Sequence, residues 1–395
     1  MEPKIRLKGF SGEWKKAPFS EIANRTSASA SSLNFPGVEF EDINSGEGTL
    51  NKDVSRKKIV KTGKQFSEGD VLFGKLRPYL KNILLADFNG VAIGDFWVLR
   101  PQKVTSELLY ILVNSREFMR IANISSGSKM PRADWNLVSS TPFAYPETKD
   151  EQNAIGAYFQ HLESLIQSTT KKIESLKQVK AASLQSMFPQ EGENTPRVRF
   201  KGFDGEWENK TLGECLTINN ERNQNNVYGI NDVLSVSDEV GVVNQIKLLG
   251  RSYAGKSVAN YRVLKTNQIV YTKSPLKSKP YGIVKVNKGA VGIVSVLYAV
   301  YDTNENVYPD YIHYYFEPTH RINNYLLPLI NKGAKNTMNI SDEMALTGNI
   351  WIPSFDEQKK IADYLQALDS QITLQTQRLE KLKHIKSACL DNMFV

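Results

Sequence analysis

Residues 150–188 read DEQNAIGAYFQHLESLIQSTTKKIESLKQVKAASLQSMF, and this stretch decides the fold. It contains no proline, and its one glycine, Gly156, falls in the first turns. Its apolar residues recur at alternating spacings of four and three, the pattern that keeps one seam along a helix. The stretch therefore predicts a single long helix.

The same helix sequence returns near the far end of the chain. Residues 356–394 read DEQKKIADYLQALDSQITLQTQRLEKLKHIKSACLDNMF and lie 206 positions after the first copy, with no gap between the copies. The predicted seam residues of the two copies are Ile155, Phe159, Leu162, Ile166, Thr169, Ile173, Leu176, Ile361, Leu365, Leu368, Ile372, Gln375, Leu379 and Leu382. Two of them are polar, and a polar residue in a seam sacrifices stability but fixes register and partner. We therefore expect an antiparallel coiled coil about a pseudo-twofold axis near Thr169 and Gln375.

A second repeated motif opens each copy. Residues 6–14, RLKGFSGEW, return as RFKGFDGEW at 199–207, with seven of nine positions identical. The offset is 193 at this motif and 206 at the helix, so the second copy is longer by 13 residues. The predicted organisation is a domain at 1–149, a helix at 150–188, a polar linker at 189–198, a domain at 199–355 and a helix at 356–395.

The two variable stretches, roughly 15–149 and 208–355, share a layout but not a sequence. Both contain short runs rich in Val, Ile, Phe and Tyr, set off by Gly, Asn, Asp and Pro, which predict strands. Helical pieces are expected near 106–122 and 309–330. The predicted fold class is α+β, with two pseudo-symmetric globular domains that are each followed by a long helix.

The composition restricts the class of protein. At 395 residues the chain is long enough for about two or three domains. A formal charge of +8 allows a polyanionic partner without proving one. Cys215 and Cys389 form neither a disulfide framework nor a zinc spacing, so we expect a cytoplasmic protein. No apolar run approaches the ~20 residues of a membrane span, and the N-terminus lacks the apolar core of a secretory signal.

Motifs for catalysis are weak throughout the chain. Residues 250–257, GRSYAGKS, satisfy the phosphate-loop pattern, which needs a strand before it and a helix after it. The β-branched and aromatic residues that follow, at 258–264, favour a surface turn that exposes two cations. No glycine-rich methyl-donor loop, nuclease carboxylate set or metal-ligand spacing is present, and we expect no metal. The four histidines, His161, His313, His320 and His384, are predicted to be solvated surface residues.

The ordered repeat of entry motif, variable domain and long helix resembles the specificity subunit of a type I restriction-modification system. The resemblance implies two target recognition domains, each reading one half of a bipartite double-stranded DNA site. It also implies that the helices space these domains and dock two methyltransferase subunits. Restriction and translocase subunits would join the full complex. The resemblance implies a non-catalytic chain, with S-adenosylmethionine, ATP and Mg²⁺ bound by the partner subunits.

Basic segments at matching places in the two halves are the candidates for DNA contact. Residues 75–82, KLRPYLKN, and 273–281, KSPLKSKPY, mix cations with an aromatic residue. A second matched pair, at 125–132 and 331–337, carries a glycine close to a lysine. Cations neutralise phosphates, and arginine also reads guanine. The predicted DNA-binding residues are Lys75, Arg77, Tyr79, Lys81, Lys129, Arg132, Lys273, Lys277, Lys279, Lys335 and Asn336.

Alternatives remain at this point. The glycine-lysine turns could be structural turns with solvated lysines. The chain could also be a phosphate-loop nucleotide hydrolase, or a coiled-coil scaffold without DNA contact. Two sizeable domains that share layout but not sequence argue against the scaffold.

Overall fold

The structure, a computed structural model, describes residues 3–33, 35–56, 60–124, 130–255, 257–276, 278–332 and 338–394. The chain divides into two compact units. Unit 1 is Met1–Lys171 together with Gln375–Val395, and unit 2 is Lys172–Leu374. Each unit contains one globular domain, one part of the first long helix and one part of the second.

In unit 1 the globular part contains twelve strands within the described residues, joined by short helices. The strands are Lys15–Pro18 (β1), Ala23–Thr26 (β2), Ser29–Ser31 (β3), Gly37–Val38 (β4), Ile43–Asn44 (β5), Thr49–Leu50 (β6), Thr62–Phe66 (β7), Val71–Gly74 (β8), Ile83–Leu85 (β9), Gly90–Ala92 (β10), Phe96–Pro101 (β11) and Pro142–Tyr145 (β12). The helices are Phe19–Ile22 (α1), Ser106–Asn114 (α2), Arg116–Ala122 (α3), Trp135–Ser140 (α4) and the long helix Lys149–Ser186 (α5), which continues into unit 2. Single 3₁₀ turns lie at Phe40–Asp42, Val54–Arg56 and Pro78–Leu80.

Unit 2 repeats this plan. Its strands are Glu208–Thr211 (β13), Leu216–Ile218 (β14), Leu234–Ser237 (β15), Gly241–Asn244 (β16), Arg262–Leu264 (β17), Ile269–Tyr271 (β18), Val284–Val286 (β19), Gly292–Val294 (β20), Ala299–Thr303 (β21), Asn331–Lys332 (β22), Met338–Asn339 (β23) and Asn349–Ile352 (β24). Its helices are Leu212–Cys215 (α6), Gln245–Leu249 (α7), Pro309–Phe316 (α8), Thr319–Leu326 (α9) and the long helix Phe355–Met393 (α10), which continues into unit 1. Its 3₁₀ turns lie at Ile230–Asp232, Leu327–Leu329 and Met344–Leu346.

The two globular parts share their sheet topology. The central sheet has the antiparallel order β2-β11-β8-β9 in unit 1 and β14-β21-β18-β19 in unit 2. An antiparallel pair, β1–β12 or β13–β24, joins the start of each domain to the strand before its long helix. The outer parts differ, because unit 1 has a β3-β7-β10-β4 sheet where unit 2 has the pairs β15–β16 and β17–β20. The predicted α+β class with two equivalent domains is confirmed.

The two long helices run antiparallel to each other inside unit 1. Tyr158 Oη of α5 lies 3.7 Å from Cys389 Sγ of α10. Five residues further along α5, Glu163 forms an ion pair with Lys386, which lies three residues earlier in α10. Residue numbers therefore rise on one helix as they fall on the other.

Unit 2 contains the repeat images of both contacts. Lys180 Nζ donates to Asp369 Oδ1 at 2.6 Å, and Ser183 Oγ donates to Tyr364 Oη at 3.5 Å. Each of these residues lies 206 positions from its counterpart in unit 1. The predicted antiparallel helix pair is therefore present in both units with the same register.

The fourteen predicted seam residues are all buried or half-buried. Those buried are Ile155, Phe159, Leu162, Thr169, Ile173, Ile361, Leu365, Gln375 and Leu379. Those half-buried are Ile166, Leu176, Leu368, Ile372 and Leu382.

The repeated entry motif is tied to the start of the long helix by a bidentate arginine–glutamate ion pair, called the clasp below. Arg6 Nε and Nη2 donate to the two carboxylate oxygens of Glu151 at 2.7 and 2.8 Å. In unit 2, Arg199 makes the same bidentate contact with Glu357 at 2.6 and 2.7 Å. Because both carboxylates are buried, each needs a charged partner to be stable there. This contact accounts for an arginine in each entry motif and a glutamate in each Asp-Glu-Gln triplet.

The glutamine of each triplet fixes the helix to its own domain. Gln152 accepts from Thr105 N and donates to Pro146 O, each at 2.9 Å. Gln358 bonds to Tyr308 N and Pro353 O at the same distances. The side-chain amide therefore supplies hydrogen-bond partners to loop backbone groups that would otherwise have none.

Candidate nucleic-acid interface

The turn that follows β8 in unit 1 presents a cation and an aromatic ring to solvent. Arg77 and Lys81 flank the 3₁₀ turn Pro78–Leu80 and both adopt left-handed backbone, with φ of 50° and 52°. Non-glycine residues in this region carry strain, which concentrates at functional sites. Arg77 is exposed, and Tyr79 is 56% exposed. Among the described residues neither side chain has a hydrogen-bonding or ionic partner.

A second segment, residues 131–133, holds this turn in place. Arg77 N donates to Pro131 O at 2.8 Å, and Ala133 N donates to Lys75 O at 2.9 Å. This pairing places Arg132 beside the turn, where its Nε lies 3.0 Å from Asp95 Oδ2. Lys75 Nζ lies 3.4 Å from Asp95 Oδ1. Three of the predicted DNA-binding residues therefore share one edge of unit 1.

Further cations crowd the same edge. Lys64 Nζ donates to Phe96 O at 2.6 Å, and its pKa is lowered by burial and by the charges of Lys75 and Arg25. Burial opposes ionisation of Asp95, but the hydrogen bond from Arg132 and the charge of Lys75 outweigh it and hold its pKa below the usual value. The edge carries five cations, Arg25, Lys64, Lys75, Arg77 and Arg132, and one carboxylate, and this excess of positive charge favours binding of a polyanion.

Lys81, at the far end of the turn, is half-buried. Burial and the charge of Lys386 lower its pKa. Its carbonyl accepts from Gly46 N at 3.0 Å. Lys81 therefore shapes the turn while its ammonium is partly withdrawn from solvent.

In unit 2 the corresponding turn begins at Lys273, which also adopts left-handed backbone, with φ of 48°. Lys273 Nζ lies 2.5 Å from Asp342 Oδ1, and Arg262 Nη2 lies 2.5 Å from Asp342 Oδ2. Asp342 and Arg262 are both buried. Asp342 thus holds two cations, as Asp95 does in unit 1, but Asp342 and its partner Arg262 are buried in unit 2.

Lys279 is placed differently from the prediction. Its side chain is 7% exposed, its Nζ lies 2.9 Å from Asp238 Oδ1, and it donates to Glu317 O at 2.7 Å. Lys285 lies 3.4 Å from the same Asp238 carboxylate oxygen. This placement favours a structural role for Lys279 over DNA contact, and we leave it out of the proposed interface. The predicted residues Lys129, Lys277, Lys335 and Asn336 lie outside the described residues.

The phosphate-loop match does not have the required setting. Helix α7 ends at Leu249, immediately before the match, and β17 follows it at Arg262. Among the described residues of the match, Arg251 stacks on Tyr253, with its guanidinium carbon 4.6 Å from the ring centroid, and Tyr253 is 61% exposed. A helix before the loop and a strand after it reverse the order that aims backbone amides at a phosphate.

Three of the four histidines are exposed, as predicted: His161, His320 and His384. The prediction is wrong for His313, which is half-buried in unit 2 with its Nδ1 3.2 Å from Val284 O. Burial, aided by the charge of Lys285, lowers the pKa of His313 to about 3. No group of three or more metal-ligating side chains occurs in the described ranges. Nor does any helix in the part of the chain described have the length and apolarity needed to cross a membrane.

Sequence reasoning missed the residues that organise this edge. Asp95 and Asp342 were overlooked because a single aspartate in a strand-rich segment has no local pattern that marks it as a partner of distant cations. Arg25 and Lys64 lie on strands outside the basic segments. The only available signal was the recurrence of a cation-bearing turn after the equivalent strand in each half.

A family model for the type I restriction modification DNA specificity domain matches residues 204–384. These residues form a type I restriction-modification DNA specificity domain. The family that the repeated motifs indicate is thereby confirmed. The match begins inside the second entry motif and ends within α10, so it includes most of unit 2.

The chain is also similar to specificity subunits of two type I restriction enzymes. The type I restriction enzyme HindI specificity subunit of Haemophilus influenzae is 28% identical over 191 residues, which are 45% of this chain and 41% of that protein. This chain thus spans about two fifths of the length of the curated relatives it matches.

Two solved structures show the same fold. The type I restriction-modification S subunit from M. genitalium is similar with a TM-score of 0.60 at 13% identity, covering 100% of this chain and 99% of that chain. A chain from a type I R-M system, solved to explain complex assembly and conformational transition, is similar with a TM-score of 0.51 at 18% identity, covering 97% and 98%. At these identities the likeness concerns the fold alone.

Proposed function

We propose that this chain is the DNA-recognition subunit of a type I restriction-modification complex, in which each unit reads one half of a split DNA site. The observation that carries the proposal is the presence of two units with the same clasp and the same central sheet but different cation-bearing turns. A shared frame with different exposed side chains suits two readers of different sequences. The specificity domain matched at residues 204–384 supports this assignment.

In unit 1 the reader is the turn at Arg77 and Tyr79. A guanidinium on a fixed turn can bond to a phosphate or, bidentately, to guanine in the major groove. The exposed ring of Tyr79 can pack on a sugar or base. Lys75 and Arg132 supply phosphate contacts beside it, and these fix the position of the turn without reading sequence.

In unit 2 the proposal rests on different residues. Asp342 forms an ion pair with Lys273, so this lysine is not free to bind DNA. The stacked and exposed pair Arg251 and Tyr253 is the better candidate for DNA contact in unit 2. The ring restricts the guanidinium to one orientation, which lowers the conformational entropy lost when it meets DNA. The two units therefore offer the same chemistry, a cation beside an aromatic ring, at different places in their folds.

The long helices are proposed to set the spacing of the two readers and to dock two methyltransferase subunits, which restriction and translocase subunits join in the full complex. The chain itself performs no chemistry in this proposal. Adenine methylation would use S-adenosylmethionine, and DNA cleavage would use ATP and Mg²⁺, all bound by the partner subunits. The chain would act in the cytoplasm, where its DNA lies.

Binding of the full chain to a labelled 40-base-pair duplex of random sequence, measured by fluorescence anisotropy, tests the DNA-binding part of this proposal. Contact with about four phosphates predicts an affinity about a hundredfold weaker at 200 mM salt than at 50 mM. Absent binding, or an affinity that salt leaves unchanged, would contradict the proposal.

A further inference from the structure

The Asp95 carboxylate forms ion pairs with Lys75 and Arg132, two cations of the proposed DNA interface. Its Oδ1 lies 3.4 Å from Lys75 Nζ, and its Oδ2 lies 3.0 Å from Arg132 Nε. The side chains of all three residues are between 28% and 52% exposed, so DNA can approach them. A phosphate that takes either cation comes close to the negative charge of Asp95.

We propose that Asp95 is a specificity-determining residue that restrains non-specific DNA binding by competing with phosphates for Lys75 and Arg132. This inference rests on the proposed DNA-binding function. Non-specific binding depends almost entirely on cations that meet phosphates wherever the backbone lies. A carboxylate that holds two of them lowers this contribution for every sequence. A cognate site can compensate through the base contacts of the neighbouring Arg77, which non-cognate DNA does not provide.

Backbone contacts hold Lys75 and Arg132 close to Asp95. Lys75 N donates to Asp95 O at 2.9 Å, and Leu76 forms an isolated antiparallel bridge with Arg132. Both cations are thus fixed in reach of the carboxylate by main-chain contacts that do not depend on it. Replacing the carboxylate by an amide should release the side chains without moving the segments that carry them.

A carboxylate of unit 2, Asp342, provides a structural contrast. Asp342 also holds two cations, but Arg262 is 8% exposed and cannot exchange its partner for a phosphate without local opening. Removing Asp342 would leave a buried cation unpaired and lower stability. Of Asp95 and Asp342, Asp95 is therefore the one that combines two held cations with access to DNA.

The test compares Asp95→Asn with the wild-type full chain, using anisotropy with the random 40-base-pair duplex across 50–300 mM salt. Release of the cations predicts about fivefold tighter non-specific binding and a log–log salt slope steeper by about 0.9 for each phosphate gained. Asp95→Glu keeps the carboxylate and should bind like the wild type. Asp87→Asn is the matched control, since it changes the net charge equally on an exposed residue outside the cluster.

Each outcome decides the inference. Tighter binding by Asp95→Asn alone supports it, whereas unchanged or weaker binding overturns it and leaves DNA binding by the wild type intact. Equal tightening by Asp87→Asn also overturns it, because net charge alone would then explain the effect. A wild type that does not bind the duplex contradicts the proposed function and this inference together. Thermal unfolding of each variant checks that the fold is retained, and Asp95→Ser provides a second neutral variant if the amide disturbs it.

Discussion

Lys180 and Asp369 form an ion pair of 2.6 Å between the two long helices of unit 2, and its repeat image joins Lys386 to Glu163 in unit 1. The cation comes from the helix of one copy in the first case and from the other copy in the second. Lys180 and Lys386 lie 206 positions apart, as do Glu163 and Asp369, so the repeat encodes the antiparallel register twice. A parallel arrangement, or a slip of one turn, would separate both pairs.

The register predicts which positions can be crosslinked inside unit 1. The contacts of Tyr158 with Cys389 and of Glu163 with Lys386 place position 169 opposite position 379. Cysteines at Thr169 and Leu379, in a chain whose native cysteines are replaced by serine, should form a disulfide readily under mild oxidation. Gel mobility without reductant measures the yield.

Cysteines at Thr169 and Gln375 are the matched comparison. The axis predicted from the sequence passes near these residues, but they are offset from direct opposition by four positions, about 6 Å along a helix. A disulfide should form poorly because such an offset exceeds its geometric range. Efficient crosslinking of 169 with 375, and none of 169 with 379, would show that the register is wrong.

The clasp in unit 2 predicts a large loss of stability when its arginine is removed. Arg199→Met leaves Glu357, which is 1% exposed, without its bidentate partner. We expect the free energy of unfolding to fall by about 3 kcal/mol, because a buried carboxylate loses the one ionic partner that it has among the described residues. Urea denaturation followed by circular dichroism measures the change.

Arg197→Met provides the control for this variant. Arg197 pairs with Glu193 at 2.9 Å on the surface, four positions apart in sequence, and such exposed pairs contribute little to stability. If the free energy of unfolding fell equally in the two variants, burial of Glu357 would not strengthen the contribution of its ion pair to stability.

Arg77→Ala should weaken DNA binding without loss of stability. Its exposed guanidinium has no hydrogen-bonding or ionic partner within the described part of the chain, so truncation breaks no such contact. Affinity for the random duplex should fall about fivefold, and the log–log salt slope should become shallower by about 0.9, the value for one phosphate. Lys273→Ala serves as the comparison, because loss of its 2.5 Å contact with Asp342 should lower the melting temperature, which Arg77→Ala should leave unchanged. An unchanged affinity for Arg77→Ala would remove this residue from the interface.

His313 predicts a specific acid sensitivity. Burial lowers its pKa in the folded protein to about 3, against about 6.5 in the unfolded chain. Below pH 6.5 the unfolded chain therefore binds a proton that the folded chain does not. Stability falls by about 1.4 kcal/mol for each pH unit from 6.5 towards 3. Nearby Lys285, Lys180 and Asp369 also act on this histidine.

The measurement compares wild type with His313→Gln by urea denaturation at pH 7.5, 6.0 and 5.0. Carboxylates contribute to both proteins, so the difference between their pH profiles isolates the histidine. The stability gap between wild type and variant should move in favour of the variant as the pH falls below 6.5. Parallel profiles would mean that His313 accepts its proton in the folded state.

The long helices could be predicted because their signal is local. An uninterrupted seam without proline indicates a helix from residues three or four apart, and the second copy at 206 positions supports it. The role of Arg6 could not be predicted in this way, since its partner Glu151 lies 145 positions later. Its recurrence as Arg199, together with that of Glu151 as Glu357, was the one trace of this contact in the sequence.

The sequence did not indicate which of the basic residues would be exposed. Lys279 and Arg77 both lie in basic segments, yet one is held inside unit 2 by Asp238 and the other is exposed. A lysine ordinarily lies at the surface, and only a distant carboxylate overrides that preference. His313 follows the same rule, because its burial depends on β19 and its neighbours rather than on the helix that carries it.

The central claim is that one chain reads two separate halves of a DNA site, and the methylated adenines of its host genome test this most directly. Long-read sequencing should be carried out on the host with the intact chain and on the host in which the chain is deleted. The account predicts one methylated motif made of two specified blocks separated by unspecified bases, and its complete loss on deletion. Retention of every methylated motif after deletion, or loss of a single contiguous motif, would contradict it.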